Sequence, residues 1–342
     1  MKILCIYLGG HPACLGGIET FERNLKKMYL EALQFFTLNT SKPKYYVVDN
    51  VTEFETDNIK YKILKTLLGE YKTMKFFLST SDNKIYIINN PREIDCVDKN
   101  SKKILVQHFN YDTYRFHRKK RLIVRCRKYL NYFVFLSEYD KEKFIKELKF
   151  PKEKAVVIRH TCNMELLNNP KIKNKNLIMI CRLENNQKRL DLAIKAMKKL
   201  KDFNLNIYGS GQDKKYIEKL IEENKLKNVF LCGGTNQVKE KLDENGIFVM
   251  TSDFEGYPIT SIEAMRRGLP IILRNTFDSA PDIVQDNGVL LDEQWDEDKF
   301  IEAVNKVHNN YEYYSENSKK LGRRHDFEII KKQWDNLLKK LL

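Results

Sequence analysis

Long apolar runs, clustered cysteines and metal-ligand spacings are all missing from this 342-residue sequence. The roughly 18 consecutive apolar residues that a bilayer-spanning helix requires occur nowhere. The first apolar run, Ile3 to Leu8, is too short for a secretory signal and is not followed by a small-residue cleavage pattern. The seven cysteines (Cys5, Cys14, Cys96, Cys126, Cys162, Cys181, Cys232) are odd in number, scattered and without a C-x-x-C pair, which excludes a disulfide framework or zinc knuckle. His11, His117, His160, His308 and His325 have no mutual ligand spacing. A soluble or peripheral protein of a reducing cytoplasm is expected.

The chain is long enough for two α/β domains of about 150 residues, each with its own core. Sixty-one Lys and Arg against 46 Asp and Glu give a net charge of +15, which favours polyanionic partners without choosing among them. The clustering is more telling. Between Thr113 and Ser137 there is no acidic residue, while Arg115, Arg118, Lys119, Lys120, Arg121, Arg125, Arg127 and Lys128 are basic. Interleaved with Leu122, Ile123, Cys126 and Leu130, they fit an amphipathic helix on an anionic membrane surface, a solvated basic face, or a site for a phosphate-bearing acceptor.

Ile3–Leu8, a Gly-containing loop and a helical stretch from Ile18 open a Rossmann-like unit. Ile85–Ile88, Ile104–Val106, Phe133–Leu136 and Ala155–Ile158 add buried-strand candidates, whereas Leu38 to Leu78 shows no clear pattern. The polar stretch Asn163 to Asn176 reads as a linker. Beyond it, strands at Leu177–Cys181, Leu205–Tyr208, Val229–Cys232, Ile247–Met250, Pro270–Leu273 and Val289–Leu291 alternate with helical patterns. One such pattern sets Leu190, Ala193, Ile194, Met197 and Leu200 on a single face. The alternation implies parallel sheets covered by helices. Residues 1–165 and 166–315 are expected as the two domains. Residues 316–342 form terminal helices that can return to the first domain.

The most informative stretch is TSDFEGYPITSIEAMRRGLP, Thr251 to Pro270. A strand ends, a loop with Gly256, Tyr257 and Pro258 turns, and a helix starts near Pro258 or Ile259. Proline suits a first helical turn, and free amides at Ile259 and Thr260 with the helix dipole suit a phosphate. Glu255 and Glu263 flank that bend and can face one ligand.

This segment resembles the E-x7-E signature of the retaining GT-B glycosyltransferases of the family 4 type. The likeness extends to ICRLENNQKRLDL, with Arg182 and Lys188 as a basic pair, and to the glycine turns Gly209–Gly211 and Gly16–Gly17. His108, at the end of ILVQHF, falls where many relatives carry a histidine on the donor sugar. The resemblance implies an α/β GT-B architecture, two Rossmann-like domains facing across a cleft that closes to exclude water. It implies retaining, metal-independent transfer of a hexose from a nucleotide diphosphate sugar, a UDP-hexose first. The acceptor would be a bacterial surface glycan or lipid-linked acceptor at the inner face of the membrane. In this reading Arg182, Lys188 and the helix amides neutralise the departing diphosphate, Glu255 orients the sugar, Glu263 holds the ribose, and His108 contacts the sugar. The donor is a co-substrate, and no other cofactor is expected.

The D-x-D at Asp296–Asp298 opens a helical pattern and is read as an N-terminal charge pair, not a metal site. A dinucleotide oxidoreductase would need G-x-G-x-x-G after a first strand, which neither glycine turn completes. A sugar-nucleotide epimerase of the same architecture and an inactive partner subunit remain as alternatives, the latter disfavoured by the presence of all four charged residues. No recognised nucleic-acid motif accompanies the charge.

Overall fold

The computed structural model describes residues 2–14, 17–38, 46–54, 59–68, 70–78, 85–98, 100–108, 118–169 and 171–342. The chain divides into two units: Met1–Thr161 together with Ile330–Leu342, and Cys162–Ile329.

The first unit runs β1 (Ile3–Ile6), α1 (Gly17–Tyr29), β2 (Leu33–Leu38), β3 (Val51–Phe54), α2 (Ile59–Leu68), α3 (Glu70–Leu78), β4 (Ile85–Ile88), β5 (Lys102–Val106), α4 (Arg118–Cys126), β6 (Tyr132–Phe135), α5 (Glu138–Leu148) and β7 (Ala155–Val157). All seven strands are parallel in the order β3-β2-β1-β4-β5-β6-β7. β1 and β4 are apolar and buried throughout, as central strands covered on both faces must be. The unpatterned stretch Leu38 to Leu78 holds β3, α2 and α3, and β2 ends at its first residue. It lacks a clear period because α2 turns its apolar residues outward.

The second unit runs β8 (Asn176–Ile180), α6 (Asn185–Lys188), α7 (Leu190–Ala196), β9 (Asn204–Tyr208), α8 (Lys214–Glu223), β10 (Val229–Gly233), α9 (Val238–Glu244), β11 (Ile247–Met250), α10 (Ile259–Arg266), β12 (Ile271–Arg274), α11 (Ala280–Ile283), β13 (Gly288–Leu291), α12 (Glu297–Asn309) and α13 (Tyr311–Gly322). Its parallel sheet has the order β10-β9-β8-β11-β12-β13, the doubly wound Rossmann pattern. Leu190, Ala193, Ile194, Met197 and Leu200 are buried in its core. α14 (Phe327–Lys339) begins in this unit, and from Ile330 onward it belongs to the first, where Trp334, Leu337 and Leu338 are buried.

In each sheet the strand order reverses once, between β1 and β4 and between β8 and β11. Loops leaving the carboxyl ends of those strands diverge to opposite faces and leave a crevice. The candidate residues fall around these two points.

Candidate functional site

In the second unit, the loops after β8 and β11 bring Lys188 and Glu255 together. Lys188 Nζ lies 2.6 Å from Glu255 Oε1, and the two side chains are only 11% and 10% exposed. Ser252 Oγ donates to the same carboxylate oxygen at 2.7 Å. The surrounding backbone is pinned. Asp253 N donates to Gln187 O, Thr251 Oγ1 to the carbonyls of Lys188 and Arg189, and Gln187 Nε2 to Phe254 O. Asp253 accepts from Arg189 and Arg274, which ties the start of α7 to the loop after β11.

Thr276 Oγ1 donates to Ser252 O and Ser279 Oγ to Gly256 O, so the loop from Ser252 to Pro258 is held from both sides. Pro258, at φ −71°, caps α10 without a side-chain bond, which leaves the first amides of that helix, Ile259 and Thr260, facing outward from its start. Tyr257 is buried and its hydroxyl donates to Asp282 Oδ2 at 3.1 Å, so its side chain serves the interior and only its backbone borders the loop.

Glu263, one turn into α10, makes no ion pair among the described residues. Burial pushes its carboxyl up to about 7. Arg182 is 68% exposed, with Glu184 Oε1 at 3.1 Å as its ion-pair partner. Lys188 is therefore held in place while Arg182 is mobile enough to meet an anion.

Gly209 has φ +154°, and a Cβ there would sit 1.8 Å from Cys181 O; at Gly211 a Cβ would sit 2.4 Å from Leu183 O. Both glycines let the turn after β9 press against the segment carrying Arg182, sealed by Leu183 N donating to Ser210 O. Their visible role is to position that segment.

In the first unit His108 follows β5. Its Nε2 lies 2.8 Å from Asn89 Oδ1, its ring stacks on His160 at 5.8 Å, and Phe21 meets it edge-on at 5.0 Å. Asn89 Nδ2 donates to Glu22 Oε1, which turns its amide oxygen toward His108. An amide oxygen only accepts, so His108 Nε2 carries the proton and Nδ1 presents a lone pair. Burial, then the neighbouring His160, holds the imidazole well below its usual pKa, hence neutral.

Sequence reasoning missed Asn89, Glu22 and Glu93. Burial, reinforced by Glu19, raises Glu22 well above the carboxylate range, and its Oε2 has no hydrogen-bond partner. Glu93 accepts from the amides of Leu8 and Asn90 and is pushed up to about 8 by burial. The Asn90-Pro91-Arg92-Glu93 capping box was the available signal for Glu93. A lone Asn at a strand end and a Glu on the inner face of α1 carried none.

Gly17 starts α1 with open space around it, and Gly16 lies outside the described residues. Asp296 caps α12, accepting from the amides of Asp298 and Lys299, as the helix-start reading of D-x-D expects.

The basic segment is partly described. Arg115 and the side chains of Arg118, Lys119 and Lys120 lie outside what is described. Ile123, Cys126 and Leu130 are buried in the core of the first unit. Arg125 forms a bidentate pair with Asp95, and Arg127 donates to the carbonyls of Leu148 and Lys149. Ile123, Cys126 and Leu130 therefore face protein, while Val124 stays exposed.

Residues 167–324 match the family described as glycosyl transferases group 1. The chain is 24% identical over 350 residues to an uncharacterized glycosyltransferase of Haemophilus influenzae, covering 94% of this chain and 96% of that one. It is 26% identical over 335 residues to the poly(glycerol-phosphate) alpha-glucosyltransferase of Bacillus subtilis, covering 94% of this chain but spanning only 44% of that relative. Among solved structures, Anabaena HepE in complex with UDP superposes with a TM-score of 0.81 at 15% identity, covering 99% of this chain and 100% of that one. With two doubly wound units and these structural likenesses, the chain has the GT-B fold, and its second unit is similar to the group 1 glycosyl transferases.

Proposed function

We propose that this protein is a retaining, metal-independent hexosyltransferase of the family 4 type. It takes a nucleotide diphosphate sugar, a UDP-hexose, and extends a bacterial surface glycan or lipid-linked acceptor at the cytoplasmic face of the membrane. The observation that carries the reading is the Lys188–Glu255 pair beside the open start of α10, at the point where the strand order of the second sheet reverses. The glucosyl transfer named for the Bacillus subtilis relative and the UDP named for HepE support the sugar and the nucleotide.

In this reading the C1–O bond of the glycosyl phosphate breaks while C1 bonds the acceptor hydroxyl on the same face, and the acceptor's proton passes to the leaving phosphate oxygen. Negative charge grows on the diphosphate, so groups aimed there lower the barrier most. Lys188, Arg182 and the amides of Ile259 and Thr260 fill that role. Gly209 sets the Arg182 segment, Gly256 and Pro258 shape the loop, and Gly16 and Gly17 are assigned to the donor from the family resemblance alone. Lys188 in turn orients Glu255, whose remaining oxygen is free to accept from sugar hydroxyls. Glu263 accepts from the ribose. His108 touches the sugar through the Nδ1 lone pair that Asn89 leaves exposed, accepting from a hydroxyl. The epimerase alternative is not favoured by glycosyltransferase relatives.

The test is binding and slow hydrolysis of UDP-, GDP- and ADP-sugars by the wild type, Glu263→Ala and Arg182→Ala, with and without EDTA. Selective binding of one UDP-hexose, indifferent to EDTA and weakened about tenfold by each substitution, is expected. Binding of no sugar nucleotide refutes the reading in favour of an inactive partner subunit.

A further inference from the structure

Two helices of the first unit set three guanidinium groups along one groove. A short 3₁₀ helix, Pro91–Cys96, leaves the carboxyl end of β4, and its start is fixed by Pro91 and by the Asn90 and Glu93 capping box. Residues three apart on such a helix eclipse one another, so Arg92 and Asp95 share a face. On α4, Arg121 and Arg125 stand four apart and share a face as well. Arg125 donates to both oxygens of Asp95, at 3.0 and 2.7 Å. That pair sets the register of the two helices and leaves Arg92, one turn earlier, beside Arg121. Together with Leu122 the three arginines line a groove of about 310 Å³.

Arg92 and Arg121 are exposed, and among the described residues neither guanidinium has a hydrogen-bond or ion-pair partner. Arg121 repels Arg125 at this spacing, and Arg92 adds a third positive charge against the single Asp95, so an anion seated in the groove relieves the arrangement. The backbone that carries them is anchored. Ile94 and Cys96 of the 3₁₀ helix and Ile123 and Cys126 of α4 are buried in the core of the first unit. Guanidinium groups are planar forks that match the oxygens of a phosphate.

α4 leads back into the amino end of β6, so Arg121, near its start, lies toward the carboxyl ends of the strands. Asn89 holds His108 on that same side. Arg125 also borders a second hollow of about 650 Å³, where Arg127 and Lys128 add cations and Asp95 is again the only acid among the described lining residues. Two basic hollows in succession along one helix suit a ligand with phosphates at intervals better than a lone anion. A flat bilayer surface suits a recessed slot between two helices less well.

We propose that the groove of Arg92, Arg121 and Arg125 binds a phosphodiester of the acceptor, which is then a glycan or polyol chain with phosphates in its backbone. The acceptor role rests on the transferase reading, whereas phosphate binding by the groove does not.

The experiment is calorimetric titration of the full chain, without sugar nucleotide, with a glycerol-phosphate oligomer and with an uncharged maltooligosaccharide. Binding of the oligomer only, in competition with inorganic phosphate, is expected. Arg92→Gln/Arg121→Gln should weaken it about tenfold or more, the loss of one or two charge-assisted bonds. Arg92→Lys/Arg121→Lys should restore only part of the affinity, because the ammonium lacks the fork. Lys201→Gln/Lys215→Gln, which removes the same charge from exposed positions of the second unit, should leave it unchanged. The arginines are exposed, so thermal unfolding of their variants should match the wild type. Absence of oligomer binding, equal binding of the uncharged sugar, or equal loss in the second-unit variant would overturn the proposal. So would arginine-dependent capture by phosphatidylglycerol vesicles that the oligomer does not displace, which would assign the groove to a membrane. Oligomer binding by a chain that binds no sugar nucleotide would overturn the acceptor role together with the transferase reading. UDP-hexose binding without oligomer binding would overturn the groove alone.

Discussion

Glu263→Gln should make the protein more stable above neutral pH and change it little below pH 4.5. The Glu263 carboxyl is raised by burial from 4.5 to about 7 in the folded chain. Between those values the folded state holds a proton that the unfolded state has released, so stability falls as pH rises through the window. At about 1.4 kcal/mol per tenfold change in the protonation equilibrium, the full penalty is about 3 kcal/mol, an upper bound because water can relax around a half-buried group. For a unit of this size that corresponds to roughly 2–4 °C in Tm per kcal/mol. Urea and thermal unfolding of wild type and Glu263→Gln at pH 5, 6, 7 and 8 read the difference directly, and subtraction cancels the similar contribution of Glu93. The gap should widen from under about 1 kcal/mol at pH 5 to between about 1 and 3 kcal/mol at pH 8. Parallel pH profiles would refute the reasoning, because they would mean that the carboxylate is solvated in the folded chain. A carboxylate that is costly when empty is also one that a ribose hydroxyl pair relieves, so donor affinity should rise over the same interval.

Lys188→Met leaves the Glu255 carboxylate, only 10% exposed, with Ser252 alone, and should cost about 2–4 kcal/mol. Adding Glu255→Gln should recover most of that loss without recovering donor hydrolysis, as urea unfolding and a hydrolysis assay would show. Asn89→Leu removes the bonds to His108 and Glu22 and should cost about 1–3 kcal/mol in urea unfolding. An unchanged midpoint would mean that this buried network contributes nothing to the fold.

Much of the second unit was legible from sequence because its strands are continuous apolar runs and its helices carry one-sided faces. Leu190, Ala193 and Ile194 could be placed in a core without coordinates. The loop after β11 was legible for a different reason: proline, glycine and a helix start in order limit the backbone to few shapes. The first unit was harder. α2 shows no core-facing period, because its apolar residues do not face a core, and in α4 the sequence alone could not say which side its apolar residues would take.

What the sequence determined by itself is the alternation of strand and helix, and with it two parallel sheets, together with the identity of the charged residues at the strand ends. Periodicity and turn chemistry are local, and a few consecutive residues are enough to express them. What only the tertiary structure decided is which of those residues meet. Lys188 and Glu255 are 67 positions apart, and His108 reaches Glu22 only through Asn89. Which face of an amphipathic helix is covered is likewise set by elements elsewhere in the chain. That is why the basic α4 proved to be part of a core and the inconspicuous α2 was left bare.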